Sequence, residues 1–314
     1  MNPLCLLVGL TPLLLFPSDP VVIQEPGLAP GRWLRLANMQ TPHEYHASAV
    51  FDGRILVVGG NNQAAFEEYN PASNSWKLLP ALPTPRVFLG AAAVGKHLFA
   101  VGGLTRDNKT SALNELFDFE TQKWSRLADL PTLRDRLAVV VLGKRIFVIG
   151  GMNERGNLAA VEEYDPAQDR WLRRADLLIA RHGHAASVVG DKILVSGGHG
   201  PTGDQLDSTE EYDPKLDRWI RRANMPIACS FHCMTTVENF VYALGGRVRG
   251  RPPVLAYDVA KNTWTRAGFM PGTTRDRFGA AVSGSKIFIL GGELQEDRQL
   301  PISALSYEPK VEAK

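Results

Sequence analysis

The chain's six tryptophans fall at nearly equal intervals: Trp33, Trp76, Trp124, Trp171, Trp219 and Trp264 stand 43, 48, 47, 48 and 45 residues apart. Six glycine pairs keep step with them, at Gly59-Gly60, Gly102-Gly103, Gly150-Gly151, Gly197-Gly198, Gly245-Gly246 and Gly291-Gly292. A period of about 40–50 residues implies equivalent supersecondary units, none of which can bury its apolar face alone. The 314 residues would otherwise suit two domains. The repeat makes them one domain of six units with flanking segments.

Each unit has four parts. A small-residue stretch such as Gly90-Ala91-Ala92-Ala93-Val94 comes first, then a short polar turn, then an apolar run ending in the glycine pair. After a gap of variable length comes an aromatic with an acidic turn, as in Glu163-Tyr164-Asp165-Pro166, and seven residues beyond the aromatic stands the Trp. Short β-branched and aromatic runs divided by Gly, Pro, Asn and Asp read as strands, and no sustained 3.6-residue apolar period is present. The expected class is all-β, four antiparallel strands per unit, labelled A to D in chain order. Glycine pairs at the end of strand B allow positive φ and close approach of a neighbour. The Tyr and Trp rings are expected to fill the wedge between sheets.

These landmarks resemble kelch repeats over about residues 33–310. The resemblance implies a six-bladed β-propeller, one four-stranded blade per repeat. The ends do not match: the last unit stops at Tyr307-Glu308-Pro309 without a Trp, and the first begins with Trp33 and no preceding strands. The strand around Trp33 is therefore expected to join the last blade, closing the ring and removing an open sheet edge. The organisation read from this is residues 1–31 as a leader, 32–310 as the propeller and 311–314 as a tail, with the propeller monomeric.

Flanking composition leaves the compartment open. Residues 1–31 contain no Lys or Arg, and Leu4 to Phe16 are apolar. That run is too short to span a bilayer and suits a signal-peptide core, although no basic segment precedes it. A signal peptide would place the protein outside the cytoplasm or in the periplasm; a disordered leader would leave it cytoplasmic. Asn108-Lys109-Thr110 is a glycosylation sequon on an expected loop. A net charge of +2 without a Lys/Arg-rich run argues against nucleic-acid binding.

Length variation is confined to the B–C loops, so it falls on the rim shared by the B–C and D–A loops, the face where repeat proteins often bind. Sixteen residues before each glycine pair stand His43, Arg86, Arg134, Arg181, Cys229 and Arg275. Units three and six extend this to Arg136 and Arg277, and the fifth B–C loop adds Arg247, Arg249 and Arg251. Guanidiniums around a channel mouth would suit carboxylates or an acidic peptide through bidentate contacts. Alternatively they form local ion pairs with Asp135, Asp276 and their neighbours. Thirteen residues before the glycine pairs stand His46, Leu89, Leu137, His184, His232 and Phe278. His46 belongs to unit one and His184 and His232 to units four and five, a separation around the ring that argues against a shared metal. Cys229 and Cys233 are about 13 Å apart if extended, too far to bridge each other. Cys233 falls in the small-residue core slot, and strand alternation would put His232 on the opposite face from both cysteines.

No catalytic or phosphate-binding motif is present, and no metal or cofactor is expected. The resemblance implies a non-enzymatic module that recognises a protein or acidic peptide through the D–A and B–C loops. The alternative it implies is an exported sugar-binding enzyme of the sialic-acid mutarotase type, with Arg134, Arg275 and Glu44 as candidate clamp and acid–base groups.

Overall fold

The computed structural model describes residues 19–61, 64–248, 250–272, 275–294 and 303–310. Six antiparallel sheets follow one another in chain order. Blade one comprises Ala47–Phe51, Arg54–Val58, Phe66–Asn70 and Ser75–Leu78. Blade two comprises Gly90–Val94, His97–Val101, Asn114–Asp118 and Lys123–Arg126. Blade three runs Ala138–Leu142, Arg145–Ile149, Val161–Asp165 and Arg170–Arg174; blade four runs Ala185–Val189, Lys192–Ser196, Thr209–Asp213 and Arg218–Arg222. Blade five runs Cys233–Val237, Phe240–Leu244, Pro253–Asp258 and Thr263–Phe269. In blade six, Gly279–Ser283, Lys286–Leu290 and Ala304–Pro309 take their fourth strand, Gly31–Arg35, from the other end of the chain. No described helix is long and apolar enough to cross a membrane.

The ring closes through a pair of aromatics. Trp33 lies opposite Tyr307, and their rings stack at 4.2 Å and 15°. The propeller also begins earlier than residue 32. Val21–Val22 adds a fifth strand outside Gly31–Arg35, Glu25 pairs with Arg251 at 2.8 Å, and Ala29 N donates to Phe269 O at 3.0 Å. Residues 19–31, read from sequence as leader, thus brace blade six against blade five. Composition hid this because a two-residue strand has no period to detect. Residues 1–18 and 311–314 lie outside the described residues.

The glycine pairs form the seams between blades. The second glycine of each pair donates its N–H to a carbonyl of the following blade: Gly60 to Arg86, Gly103 to Arg134, Gly151 to Arg181, Gly198 to Cys229, Gly246 to Arg275 and Gly292 to His43. The donor–acceptor distances are 2.8–3.0 Å, and the last of these bonds closes the ring. Both glycines have positive φ throughout, for example 71° at Gly59 and 87° at Gly60. A Cβ on any first glycine would come within 3.0 Å of the same carbonyl oxygen that the second one binds. Backbone strain and collision therefore act together, and only glycine fits.

The tryptophans and their turns make a second seam nearer the circumference. Indole N–H groups of Trp76, Trp124, Trp171 and Trp219 donate to Ala37, Pro80, Ala128 and Ala175 of the preceding blade at 2.8–2.9 Å. Five residues after the aromatic, an Asn or Asp at positive φ accepts twice. Asn74, Asp169, Asp217 and Asn262 each accept the Tyr hydroxyl of their own blade at 2.5–2.7 Å. Each also accepts a backbone N–H of the preceding blade at 2.9 Å. Burial pushes the Tyr69 hydroxyl up to about 12 and keeps it a donor. Blade two has Phe117 and Gln122 at these positions, and this latch is missing there.

Burial is uneven around the ring. Trp33 is 1 % exposed, whereas Trp124, Trp171 and Trp264 are only half-buried. Trp33→Ala is expected to cost about 3–5 kcal/mol in urea unfolding, and Trp124→Ala clearly less. Deleting residues 19–36 should abolish cooperative unfolding of the whole ring. A truncated chain melting like the full one would show that the closure contributes nothing.

Candidate functional site

The arginine register divides into two sets. Arg86, Arg134 and Arg181 are fully buried, each folded back into its own blade. Arg86 Nη1 donates to Gly102 O at 2.8 Å, and its Nη2 pairs with Glu115 at 2.6 Å. Arg134 does the same with Gly150 O and Glu162 at 2.8 and 2.7 Å, and Arg181 with Gly197 O and Glu210 at 2.9 and 2.6 Å. His43 copies the arrangement in blade one through Gly59 O and Glu67, at 2.8 and 3.2 Å. Burial lowers Arg86 and Arg134 to about 10 against the pull of their glutamates, so both remain cations at neutral pH. The expectation that Arg86, Arg134, Arg181 and Arg275 ring the channel mouth is corrected. Arg275 is buried as well, and Arg86, Arg134 and Arg181 face inward because the carbonyl of the first glycine, turned by its positive φ, needs a donor. The sequence signal for this was the Glu two residues before the aromatic.

The mouth is built two residues further on. Tyr45, Phe88, Arg136, Gly183, Phe231 and Arg277 hold one equivalent position on the six blades, with φ between 52° and 60°. A hydrogen-bonded backbone chain runs through them: Tyr45 N to Arg277 O, Phe88 N to Tyr45 O, Arg136 N to Phe88 O, Gly183 N to Arg136 O and Phe231 N to Gly183 O, at 2.7–3.1 Å. Phe88 and Phe231, from opposite blades, meet at 6.2 Å between centroids, and Tyr45 packs against Phe88 of the neighbouring blade at 4.2 Å. Phe231 leans over Gly183, where a Cβ would touch its ring at 3.0 Å. The mouth is thus capped by aromatic rings.

Three guanidiniums lie on this cap. Arg136 stands 4.1 Å from the Phe88 centroid, Arg277 4.6 Å from Tyr45 and Arg247 4.7 Å from Phe231. Each contact is of cation–π type. Two carboxylate partners are buried, Asp135 beside Arg136 and Asp276 at 2.6 Å from Arg247 and 3.8 Å from Arg277, while Arg277 also has the partly exposed Glu44 at 3.8 Å. Asp135 and Asp276 are 3 % and 1 % exposed. The arginine side chains are 25, 36 and 20 % exposed in the order 136, 247, 277, so each is partly open to solvent. Arg249 lies outside the described residues. Beside the cap, His182 and His199 stack at 5.1 Å and 13°, with His182 Nδ1 held by Asn157 Oδ1 at 2.7 Å. Sequence reasoning missed this pair, because it joins a D–A loop to a B–C loop.

Under the cap is a cavity of about 130 Å³, whose wall includes His46, Leu89, Leu137, His184, His232 and Phe278. Each of these side chains is a knob over the first glycine of the preceding blade: His184 over Gly150, His232 over Gly197, Leu137 over Gly102. The imidazoles are interchangeable here with Leu and Phe, and both nitrogens of His46 and of His184 have no partner. No three described His, Cys, Asp or Glu side chains converge as a metal-binding group. Cys229 takes the arginine slot of blade five, its Sγ 3.4 Å from Gly245 O, and burial pushes the thiol up to about 12. It precedes the strand that begins at Cys233, so strand alternation does not relate it to His232. Cys233 lies in the channel wall with the other small residues.

The profile of the KLHDC2/KLHL20/DRC7 Kelch-repeats domain matches residues 90–292, and a Kelch motif matches residues 42–83. The chain belongs to the kelch-repeat family. Among curated relatives, beta-scruin of Limulus polyphemus is 31 % identical over 83 residues, 25 % of this chain and 9 % of the relative. Kelch-like ECH-associated protein 1B of Danio rerio is 33 % identical over 81 residues, 23 % of this chain and 14 % of the relative. The matched stretches are therefore small parts of much longer proteins. The solved structure of YjhT superposes with a TM-score of 0.75 at 17 % identity, covering 86 % of this chain and 96 % of that one, a likeness of fold.

The kelch seams make stability depend on pH. Burial holds His46 and His184 well below the ordinary value of 6.5 and His232 at about 4. As pH falls from 6.5 towards 4 the unfolded chain takes up protons that the folded one refuses, so the stability these residues contribute is lost over that window. Replacing His184 and His232 by Leu, the residue that Leu89 and Leu137 already provide at this register, should flatten the decline in Tm between pH 6.5 and 4. Parallel curves for variant and parent would remove the imidazoles as its cause.

Proposed function

We propose that this kelch propeller is a non-enzymatic binding module whose capped mouth recognises an acidic peptide segment of a protein partner. The observation that carries this reading is the trio Arg136, Arg247 and Arg277. Their guanidiniums lie on aromatic rings and are partly exposed, while Asp135 and Asp276 are buried. Stacking on a ring restricts each arginine before a ligand arrives, which lowers the entropy lost on binding. Five non-glycine residues at positive φ around one opening add support, since strained backbone concentrates at ligand sites. The Phe88–Phe231 contact favours an occupant lying across the surface over one entering the channel. Kelch-like ECH-associated protein 1B is, by its name, associated with another molecule.

The rim arginines first considered thus contract to Arg136, Arg247 and Arg277 as ligand contacts, with Arg86, Arg134 and Arg181 supporting the blades. Calorimetry with a Glu/Asp-rich peptide should detect binding that weakens by about 10- to 100-fold for Arg136→Ala or Arg277→Ala, as expected for hydrogen bonds between charged groups. The variants should melt close to the parent. Arg134→Ala should instead lower Tm, since it strands Glu162 inside blade three. Binding of an acidic sugar in preference to every acidic peptide would move the assignment to the sugar-enzyme class. Affinity for the peptide undiminished in both mouth variants would refute the reading.

A further inference from the structure

The six blades treat one buried charge pair in three ways. Blades two, three and four keep both members, Arg86 with Glu115, Arg134 with Glu162 and Arg181 with Glu210; blade one keeps the acid, Glu67, with His43 within hydrogen-bond distance in the arginine's place. Blade five has lost both, with Cys229 in the cation's place and Leu255, two residues before Tyr257, in the acid's. Blade six has lost only the acid. Arg275 remains, and Leu305, two residues before Tyr307, stands where the glutamate would be.

Arg275 is 6 % exposed. Its Nη2 donates to Ser303 Oγ at 2.8 Å, and Nη1 has no partner. Among the described residues no carboxylate pairs with it. The neighbouring Asp276 is engaged by Arg247 and Arg277, at 2.6 and 3.8 Å. Burial lowers Arg275 only to about 10, so it is charged at neutral pH. An ion left alone in a protein interior is strongly destabilising, and apolar replacement of a buried pair is often harmless. Blade five follows the harmless route; blade six does not.

We infer that Arg275 is a binding position for a small monovalent inorganic anion, which supplies the negative charge that Glu115, Glu162 and Glu210 supply in their blades. The depth of the guanidinium selects for size, because a peptide carboxylate on the surface cannot reach a side chain this enclosed. The planar fork presents an unused N–H donor to the ion. The site is separate from the mouth and stands whether or not an acidic peptide binds there.

Melting at constant sodium and ionic strength, with chloride replacing gluconate, tests this, because an ion that binds only the folded state raises Tm saturably. The parent should show such a rise. Leu305→Glu, which restores the internal partner, should abolish it and melt no lower than the parent does in gluconate. Arg275→Cys, which copies blade five, should abolish it as well. In bromide-soaked crystals a bromide should lie within hydrogen-bond distance of the Arg275 guanidinium. Equal melting of the parent in both salts would overturn the inference, as would a chloride response that survives in both variants. So would Glu296→Gln with Asp297→Asn lowering Tm in a parent that ignores chloride, because the counter-charge would then belong to the chain itself.

Discussion

The hydrogen bond from the second glycine of each blade to the carbonyl at the approach to the next blade's first strand is the contact on which the other features depend. It repeats six times, and its last copy, Gly292 to His43, joins the two ends of the repeat array. Making it requires two consecutive residues at positive φ and a backbone with nothing projecting at the crossing. It also leaves the first glycine's own carbonyl pointing into the blade. Four blades satisfy that carbonyl with an imidazole or guanidinium, and blade five brings a thiol towards it. The arginine register thus follows from the glycine register. A buried acid then follows from the arginine, since a lone cation at that depth is costly.

The same geometry builds the mouth. Once the carbonyl of Arg86, Arg134 or their equivalents is turned to the neighbouring blade, the chain must reverse within two residues to start its inner strand. A left-handed residue does this on every blade. The reversal brings six side chains to the axis and lets their backbones bond in sequence around it. Side-chain identity is free at this position, because the backbone alone meets the structural demand. That is why a single register can hold Tyr45, Phe88, Arg136, Gly183, Phe231 and Arg277, and why this is the place where binding specificity can vary without harm to the fold.

Particular residues show what could be read in advance. Blade number, strand count and closure at Trp33 were legible because each has a periodic signature repeated across the chain. The fifth strand at Val21–Val22 had none. The direction of Arg134 was illegible for a different reason: it depends on a rotamer set by a carbonyl in the next loop, 16 residues away. Its covariation with Glu162 was present in the sequence as a pattern across blades. The loop that separates them varies in length, so Arg and Glu stand 29, 28 and 29 residues apart and escape a fixed-spacing search. The His182–His199 stack could not be anticipated, because it joins two loops that carry no repeated sequence signature.

The sequence by itself determined the architecture: six equal units, glycine where blades cross, aromatics where they wedge together, and complementary ends. These are local and repeated, so each copy reports on the others. Only the tertiary structure decided which charges face water. Arg134 and Arg136 are two residues apart and chemically identical, yet one is enclosed with Glu162 and the other lies open on Phe88. The physical reason is the left-handed backbone at Arg136 itself, which reverses the chain there and turns that side chain away from the buried course of Arg134 and Asp135.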